Sequence, residues 1–270
     1  MTPDLSIAAL SIAAALVYLA AAWRQLMRLE QNPSRFNSGI AWLGLIAVLG
    51  HMAVAVLSAR AGELNLGFYR IASLIFLAMG IVSLLLLIRR PLHTLTIIVF
   101  PLAALSVLIS TFAPATGRPL SGLEVGLLWH VSASLTAFAV LALATLQGFS
   151  VLAQAKLLRA HQTRGIIRWL PPLDLTEQMF FELVGAGFML LTLAIVAGAV
   201  FIDNLFAQHL VHKTVLTGIG WVIYGVLLMG HWRSGWRMAT AVKLAVTAFV
   251  IVTMGFFGSK LMLELVLDTP

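Results

Sequence analysis

Eight runs of apolar residues alternate with short polar segments along the whole chain. A helix that crosses a bilayer needs about 20 predominantly apolar residues. The runs cover approximately 5–22, 39–57, 67–88, 95–112, 123–152, 179–201, 213–232 and 242–266. The pattern predicts an all-α fold, a polytopic membrane helix bundle of about eight transmembrane helices. We expect one integral membrane domain over residues 1–270, because no second kind of segment interrupts the series.

Local features modify the predicted helices at three places. Pro101 lies inside the fourth run and predicts a kink, because proline removes a helix hydrogen bond. Asp174 with Glu177 three residues later resembles a helix-capping arrangement that starts the sixth span, which then begins at about residue 179. The fifth run continues as a basic extension through Lys156 and Arg159. The glycines at 185, 187 and 198 are expected to allow close helix packing.

Composition supports a membrane protein and removes several kinds of chemistry. The 270 residues are 61% hydrophobic and only 10% charged, and no soluble domain of this length hides so much apolar surface. No small-residue cleavage site follows the first run, so we expect a retained span and not a signal peptide. The sequence contains no cysteine, which excludes disulfides, thiolate catalysis and iron–sulfur ligation.

The basic residues predict the orientation of the spans. Twelve of the 17 lysines and arginines fall on one side of the predicted membrane: Arg24, Arg28, Arg35, Arg89, Arg90, Lys156, Arg159, Arg164, Arg168, Arg233, Arg237 and Lys243. The other five are Arg60, Arg70, Arg118, Lys213 and Lys260. Because cytoplasmic loops are enriched in these residues, we expect the first side to be cytoplasmic and both termini to lie outside. The net charge of +7 then reflects topology and predicts no nucleic-acid partner.

Three histidines, His51, His130 and His231, lie inside apolar runs. An ionisable or metal-ligating side chain at membrane depth is costly and by default indicates a site. The alternative is a packed histidine that only hydrogen-bonds a backbone carbonyl. At about 1.5 Å per residue, His51 and His130 lie roughly 13 and 10 Å below the outer ends of their spans. His231 lies roughly 27 Å inward of Lys213, near the cytoplasmic face. One planar cofactor could therefore bridge His51 and His130, whereas His130 and His231 should not share one iron. His51 lies between them in depth and could pair with either.

These histidines favour heme over zinc as the bound group. Helix bundles usually hold heme between two histidines on different helices, whereas zinc usually needs a third ligand and nearby acidic residues are scarce. Arg70 is a candidate partner of a heme propionate, or else it extends to the membrane surface. Glu182 is either a proton or ion site or a residue near the inner headgroups, and we favour the second. The histidines at 93, 161, 209 and 212 are interpreted as surface residues.

Several segments resemble one known family in both order and spacing. The segment Trp129-His130-Val131-Ser132 is similar to the His-Val-Ser segment of the cytochrome c assembly superfamily, the CcsA/CcmC-type heme-handling membrane proteins. Residues 65–76 resemble the segment that follows an outer loop in that family, and 198–231 resemble the region of its tryptophan-rich motif and later membrane histidine. The motifs at 171–173, 230–237 and 255–260 are most similar to the HemX/YpjD-like branch.

The resemblance implies a membrane domain of the cytochrome c assembly type in the bacterial inner membrane, with non-covalently bound heme b. His130 matches the external ligand of the family and His231 its membrane ligand, and His51 matches a membrane histidine. The sequence departs from the heme-handling members in the loop at 203–212, which contains no tryptophan, and near Gly258, where no late histidine occurs. These departures remove the family's external platform for presenting heme.

Three functions follow from these residues. The first is a heme-binding inner-membrane protein for heme handling or cytochrome c biogenesis, which needs binding and no catalysis, so we expect no enzyme activity. The second is an accessory or regulatory subunit of a neighbouring membrane transporter or of heme biosynthesis, with another membrane protein as its partner. The third is an ion- or proton-coupled transporter that uses Glu182, Lys213 and the buried histidines.

Overall fold

The apolar runs fold as helices because a bilayer offers no water to the backbone, so each N–H and C=O must be satisfied within the segment. The structure, a computed structural model, describes residues 4–31, 38–60, 67–89, 93–114, 125–161, 171–201 and 211–260. In these ranges the helices are α1 (Leu5–Gln31), α2 (Ser38–Ser58), α3 (Phe68–Arg89), α4 (His93–Phe112), α5 (Val125–Arg159), α6 (Leu173–Phe201), α7 (Val211–Ser234) and α8 (Met238–Lys260). All eight are long and apolar enough to cross a membrane, which confirms the predicted fold class.

The start of α6 differs from the prediction. The helix begins at Leu173, six residues before the expected position, immediately after Pro171 and Pro172. The carbonyl of Pro172 accepts hydrogen bonds from the backbone N–H groups of Leu175 and Thr176 at 3.1 and 3.2 Å. Asp174 therefore lies inside the first turn and is not a cap, because the proline pair already ends the preceding segment and supplies the first carbonyl.

The structure resolves the other two local features more simply. Helix α4 continues through Pro101 without a break, and the predicted kink stays a prediction. Helix α5 continues to Arg159 as expected and has 35 residues. At a rise of 1.5 Å per residue it is about 52 Å long, whereas a hydrocarbon core is about 30 Å thick. Its basic last turn therefore extends beyond the apolar layer.

The described helices form two compact units of four helices each, α1 to α4 and α5 to α8. In the first unit, α1 packs against α2 and α4, and α3 packs against α4 and α2. Its core consists of aliphatic and aromatic side chains, among them Tyr18, Ala47, Phe100 and Ala103. The prediction of a single membrane domain over 1–270 stays a prediction.

In the second unit α5 is the most buried helix and packs most extensively against α6. Helix α8 packs against α7 and α5, whereas α6 and α7 touch only loosely. Near the start of α6, Gln147 donates to the Thr176 carbonyl at 3.1 Å, and the Thr176 hydroxyl donates to Gln154 at 3.2 Å. These hydrogen bonds fix one end of the α5–α6 pair.

Candidate functional site

His130 fixes the opposite end of the α5–α6 pair. Its Nδ1 lies 2.9 Å from the backbone carbonyl oxygen of Ala194 on α6. A carbonyl can only accept, so Nδ1 donates, and in the neutral imidazole the second ring nitrogen, Nε2, carries the lone pair. Metal-ligating histidines in proteins are oriented in this way, with one ring N–H donated to a backbone carbonyl or a carboxylate. The half-buried ring is thus held in one orientation against α6.

Gly198 makes room for this imidazole. A Cβ atom at Gly198 would lie 3.0 Å from both Cε1 and Nδ1 of His130, so a larger residue would push the ring from its hydrogen bond with Ala194. Glycine at this position is therefore the steric complement of the histidine. Together, Ala194 and Gly198 define a built seat for His130 on the surface of α6.

His231 lies on the last turn of α7 and contacts α6 at a different level. Its ring stacks on Phe181, with centroids 3.5 Å apart and an interplanar angle of 13°. Ligation uses the in-plane lone pair of an imidazole, so stacking on one face does not itself block the ring nitrogens. The side chain is half-buried and belongs to the wall of a large groove.

The groove, which we call the α6–α7 groove, occupies about 1120 Å³ between the two loosely packed helices. Its lining is mostly apolar. The residues that line it are Gln178, Phe181, Glu182, Gly185, Ala186, Phe188, Met189, Thr192, Leu193, Leu228, His231 and Trp232. Gln178 donates to Glu182 at 2.8 Å, next to Phe181 and His231. The Trp221 indole donates to Thr192 at 2.8 Å and ties the two helices farther along the groove.

His130 and His231 belong to separate places in the second unit. His130 binds the carbonyl of Ala194 and His231 stacks on Phe181, which is 13 residues earlier on α6. Thirteen residues correspond to roughly 20 Å along a helix axis. Two imidazoles at that separation cannot ligate one iron, in agreement with the depth estimate from the sequence.

His51 lies in the first unit and has different surroundings. It is 1% exposed, its Nε2 lies 2.8 Å from the Ser73 hydroxyl, and its ring meets Tyr18 edge-on with centroids 6.0 Å apart. These contacts are those of a histidine packed in a helix core. Its role as a heme ligand and its pairing with His130 stay predictions.

The remaining predicted residues occupy several places. Arg70 is half-buried in the first turn of α3, in the first unit, and its pairing with a propionate stays a prediction. Glu182 is exposed on α6 beside the α6–α7 groove. His161 and His212 are exposed, whereas His209 lies outside the described residues and the structure describes no side chain for His93. Among the residues that are described, no three His, Asp or Glu side chains group together as a metal site would require.

Several partners of the histidines in these sites had no signal in the sequence. The carbonyl of Ala194 belongs to an ordinary apolar residue, and Phe181 is one of 15 phenylalanines. Of the three glycines that were expected to allow packing, Gly187 lies against Leu141 and Gly198 against His130. A Cβ added at Gly185 would find no atom of another element within 4 Å, and this glycine lines the groove instead. The residue type alone could not distinguish these two uses of glycine.

The eight apolar helices define a polytopic membrane protein. A family model described as cytochrome C assembly protein matches residues 42–267, and the chain belongs to that family. Inner membrane protein YpjD of Escherichia coli strain K12 is 31% identical over 204 residues, which cover 75% of this chain and 76% of the relative. The helices and this similarity identify a multi-pass inner-membrane protein, and they confirm the resemblance to the YpjD-like branch.

A shorter segment of the chain is similar to a protein that is named for cytochrome c biogenesis. The cytochrome c biogenesis protein CcsA of Gloeothece citriformis is 28% identical over 91 residues, which cover 33% of this chain and 28% of the relative. A protein of Azospirillum brasilense with a mass of 28.8 kDa is 26% identical over 140 residues, about half of each chain. No solved structure matches the chain.

Proposed function

We propose that this protein handles heme in the inner membrane during cytochrome c biogenesis, and that it binds heme b non-covalently without catalysing a reaction. Membership of the cytochrome c assembly family and the similarity to CcsA support the process. The seat of His130 supports the binding. Heme, when bound, would supply an iron that takes an imidazole nitrogen as a ligand, and His130 would provide that nitrogen.

The observation that carries the proposal is the hydrogen bond from His130 Nδ1 to the Ala194 carbonyl. It holds the ring in one tautomer and leaves Nε2 as the ring nitrogen that does not bond to Ala194. The competing explanation is a purely structural tie between α5 and α6. The two explanations differ in what Nε2 does, so a substitution that keeps the donor and removes Nε2 distinguishes them.

The α6–α7 groove is the candidate for a second, deeper site. It combines an imidazole, apolar walls and an adjacent carboxylate, which are the kinds of group that hold porphyrins and other flat apolar ligands. Its distance from His130 along α6 makes it a separate site and not the second half of the first. We assign His231 as its iron ligand.

The sequence of the segment at 203–212 favours a second candidate function, a non-catalytic accessory subunit. The segment contains no tryptophan, whereas heme-presenting members of the family carry several there. A protein that retains the membrane bundle without the platform could regulate a neighbouring transporter or a heme-biosynthetic enzyme. Co-purification of another inner-membrane protein with a heme-free chain would favour this function over heme handling.

The test compares His130→Asn and His130→Ala with wild-type protein purified from heme-replete cells. Asparagine can still donate to the Ala194 carbonyl but has no nitrogen lone pair for iron. We expect both variants to lose the Soret band of one heme site, with His130→Asn as stable as wild type and His130→Ala less so. The measurements are the dithionite-reduced absorption spectrum and heme per protein, with His161→Ala as the exposed control. A wild-type protein without a Soret band, or a His130→Asn variant with full heme content, would contradict the proposal.

A further inference from the structure

The interior of the first unit contains polar side chains from all four of its helices. Tyr18 comes from α1, His51 from α2, Ser73 and Ser83 from α3, and Ser110 from α4. The first four are buried and Ser110, two residues from the end of α4, is half-buried. Polar groups in such a core are costly unless each finds a hydrogen-bond partner, so their partners require an account.

Three of these residues form a chain that leads toward the end of α4. His51 Nε2 lies 2.8 Å from Ser73 Oγ, and Ser110 Oγ lies 3.1 Å from Ser73 Oγ and 3.0 Å from the Val107 carbonyl. If Nε2 accepts, Ser110 donates to Ser73 and Ser73 donates to His51. If Nε2 donates, each hydroxyl donates the other way and Ser110 donates to Val107. The geometry permits both directions of hydrogen-bond donation. In neither of them does a residue of this chain bond to His51 Nδ1.

Three buried polar atoms have no hydrogen-bond partner on the described part of the protein. They are the Tyr18 hydroxyl, His51 Nδ1 and Ser83 Oγ. In native proteins, buried groups of this kind are almost always bonded to protein or to ordered water. Three of them in one four-helix unit indicate a common cause.

The three atoms occupy successive levels along α3. The Tyr18 ring meets the His51 ring edge-on at 6.0 Å. The Tyr18 hydroxyl packs closely against Gly80, where a Cβ atom would be 3.2 Å from it, and Ser83 is one helical turn from Gly80. The hydroxyl of Tyr18 is therefore between the levels of His51 and Ser83.

We propose that the first unit binds ordered water molecules, with the Tyr18 hydroxyl, His51 Nδ1 and Ser83 Oγ among their protein ligands. A buried water makes about three hydrogen bonds to groups that are otherwise unsatisfied, and these atoms include both donors and acceptors. Ser73 and Ser110 connect His51 to the half-buried end of α4. The proposal is separate from the heme sites proposed for His130 and His231 in the second unit, and it gives His51 a role other than the predicted iron ligand.

The first test uses the sign of a stability change. In a dry core, Tyr18→Phe removes an unpaired hydroxyl and raises stability or leaves it unchanged. In a hydrated core, the same substitution removes hydrogen bonds to water and lowers the apparent Tm, by about 2–4 °C for a loss typical of one such bond. We expect the decrease, measured by thermal unfolding of the full chain in detergent.

Tyr224 supplies a matched control for this substitution. It is equally buried in α7, but its hydroxyl donates to the Ala245 carbonyl at 3.4 Å. Tyr224→Phe therefore reports the loss of a hydroxyl that protein satisfies. A Tm for Tyr18→Phe at or above that of wild type, beside a decrease for Tyr224→Phe, would overturn the proposal.

The second test detects the water directly and needs no substitution. X-ray radiolysis of water makes hydroxyl radicals in place, so a buried side chain is oxidised rapidly only where a bound water lies beside it. We expect Tyr18 to be labelled at least several times faster than Tyr224 in the intact wild-type protein, as measured by mass spectrometry. Equal, slow labelling of the two tyrosines would overturn the proposal, and this result decides the question if Tyr18→Phe fails to fold.

Discussion

Gly185 and Gly198 both lie on α6, but the space available to a side chain differs between the two positions. Gly198 lies under the His130 ring, where a Cβ would be 3.0 Å away, whereas Gly185 faces open space in the α6–α7 groove. Alanine is favoured over glycine inside a helix by about 1 kcal/mol. Each substitution therefore carries the same helix-propensity gain, and only the contact with His130 differs.

We predict that Gly198→Ala lowers the heme content associated with His130, because the added methyl group displaces the ring from the Ala194 carbonyl. Gly185→Ala should keep that heme and unfold at the same or a slightly higher temperature. Heme per protein and thermal unfolding of the two variants provide the measurement. Equal heme content in Gly198→Ala and wild type would show that His130 does not depend on its seat.

At the next scale, glycines in α5 and α6 set the distance between these two helices. A Cβ at Gly187 would collide with the side chain of Leu141, and one at Gly148 would lie 2.9 Å from the Phe180 ring. Small residues at such contacts let helix backbones approach closely, which is the main source of packing energy between helices in a bilayer. The α5–α6 pair is therefore sensitive to added side-chain volume.

We predict that Gly187→Leu destabilises the protein by at least 1–3 kcal/mol, the usual cost of overpacking. Gly218→Leu on α7 is the matched control, because a Cβ added there would meet nothing within 4 Å. This substitution should change stability little. Thermal or denaturant unfolding in detergent measures both. A Gly187→Leu variant as stable as Gly218→Leu would contradict the close packing of α5 on α6.

Helix positions were largely predictable from the sequence because apolar length is a direct requirement of the bilayer. The prediction was wrong at α6, where six residues before Met179 are helical but amphipathic in sequence. The site was only half predictable. Histidines in apolar runs are visible in any sequence, whereas the Ala194 carbonyl, Phe181 and Ser73 become their partners only through helix packing, which leaves no local pattern.

At the scale of the whole molecule, the helix ends carry a charge pattern that agrees with the predicted topology. Helices α1, α3, α5 and α7 each have a basic residue in the last turn. Helices α2, α4 and α6 have none there. We expect successive spans to run in opposite directions, which would bring the ends of the odd-numbered helices to one side of the membrane. The positive-inside rule then predicts that this side is the cytoplasm.

We predict that the C-terminus lies outside the cytoplasm. A reporter fused there should be active only if it is of a kind that functions outside the cytoplasm. A periplasmic phosphatase fusion should show activity and a fluorescent protein that folds only in the cytoplasm should not. A matched fusion at Ser234, at the end of α7, should give the reverse result. The opposite pattern at both positions would refute an outward C-terminus.

The loose contact between α6 and α7 has a consequence for how any occupant reaches the groove. Met189, Leu193 and Trp232 on its walls are 68%, 60% and 73% exposed, so the groove is open sideways along an apolar surface. A molecule that dissolves in lipid arrives there by two-dimensional diffusion within the leaflet and not from water. Occupancy then follows the partition coefficient of the molecule and its amount per lipid, and the aqueous concentration matters only through that partition.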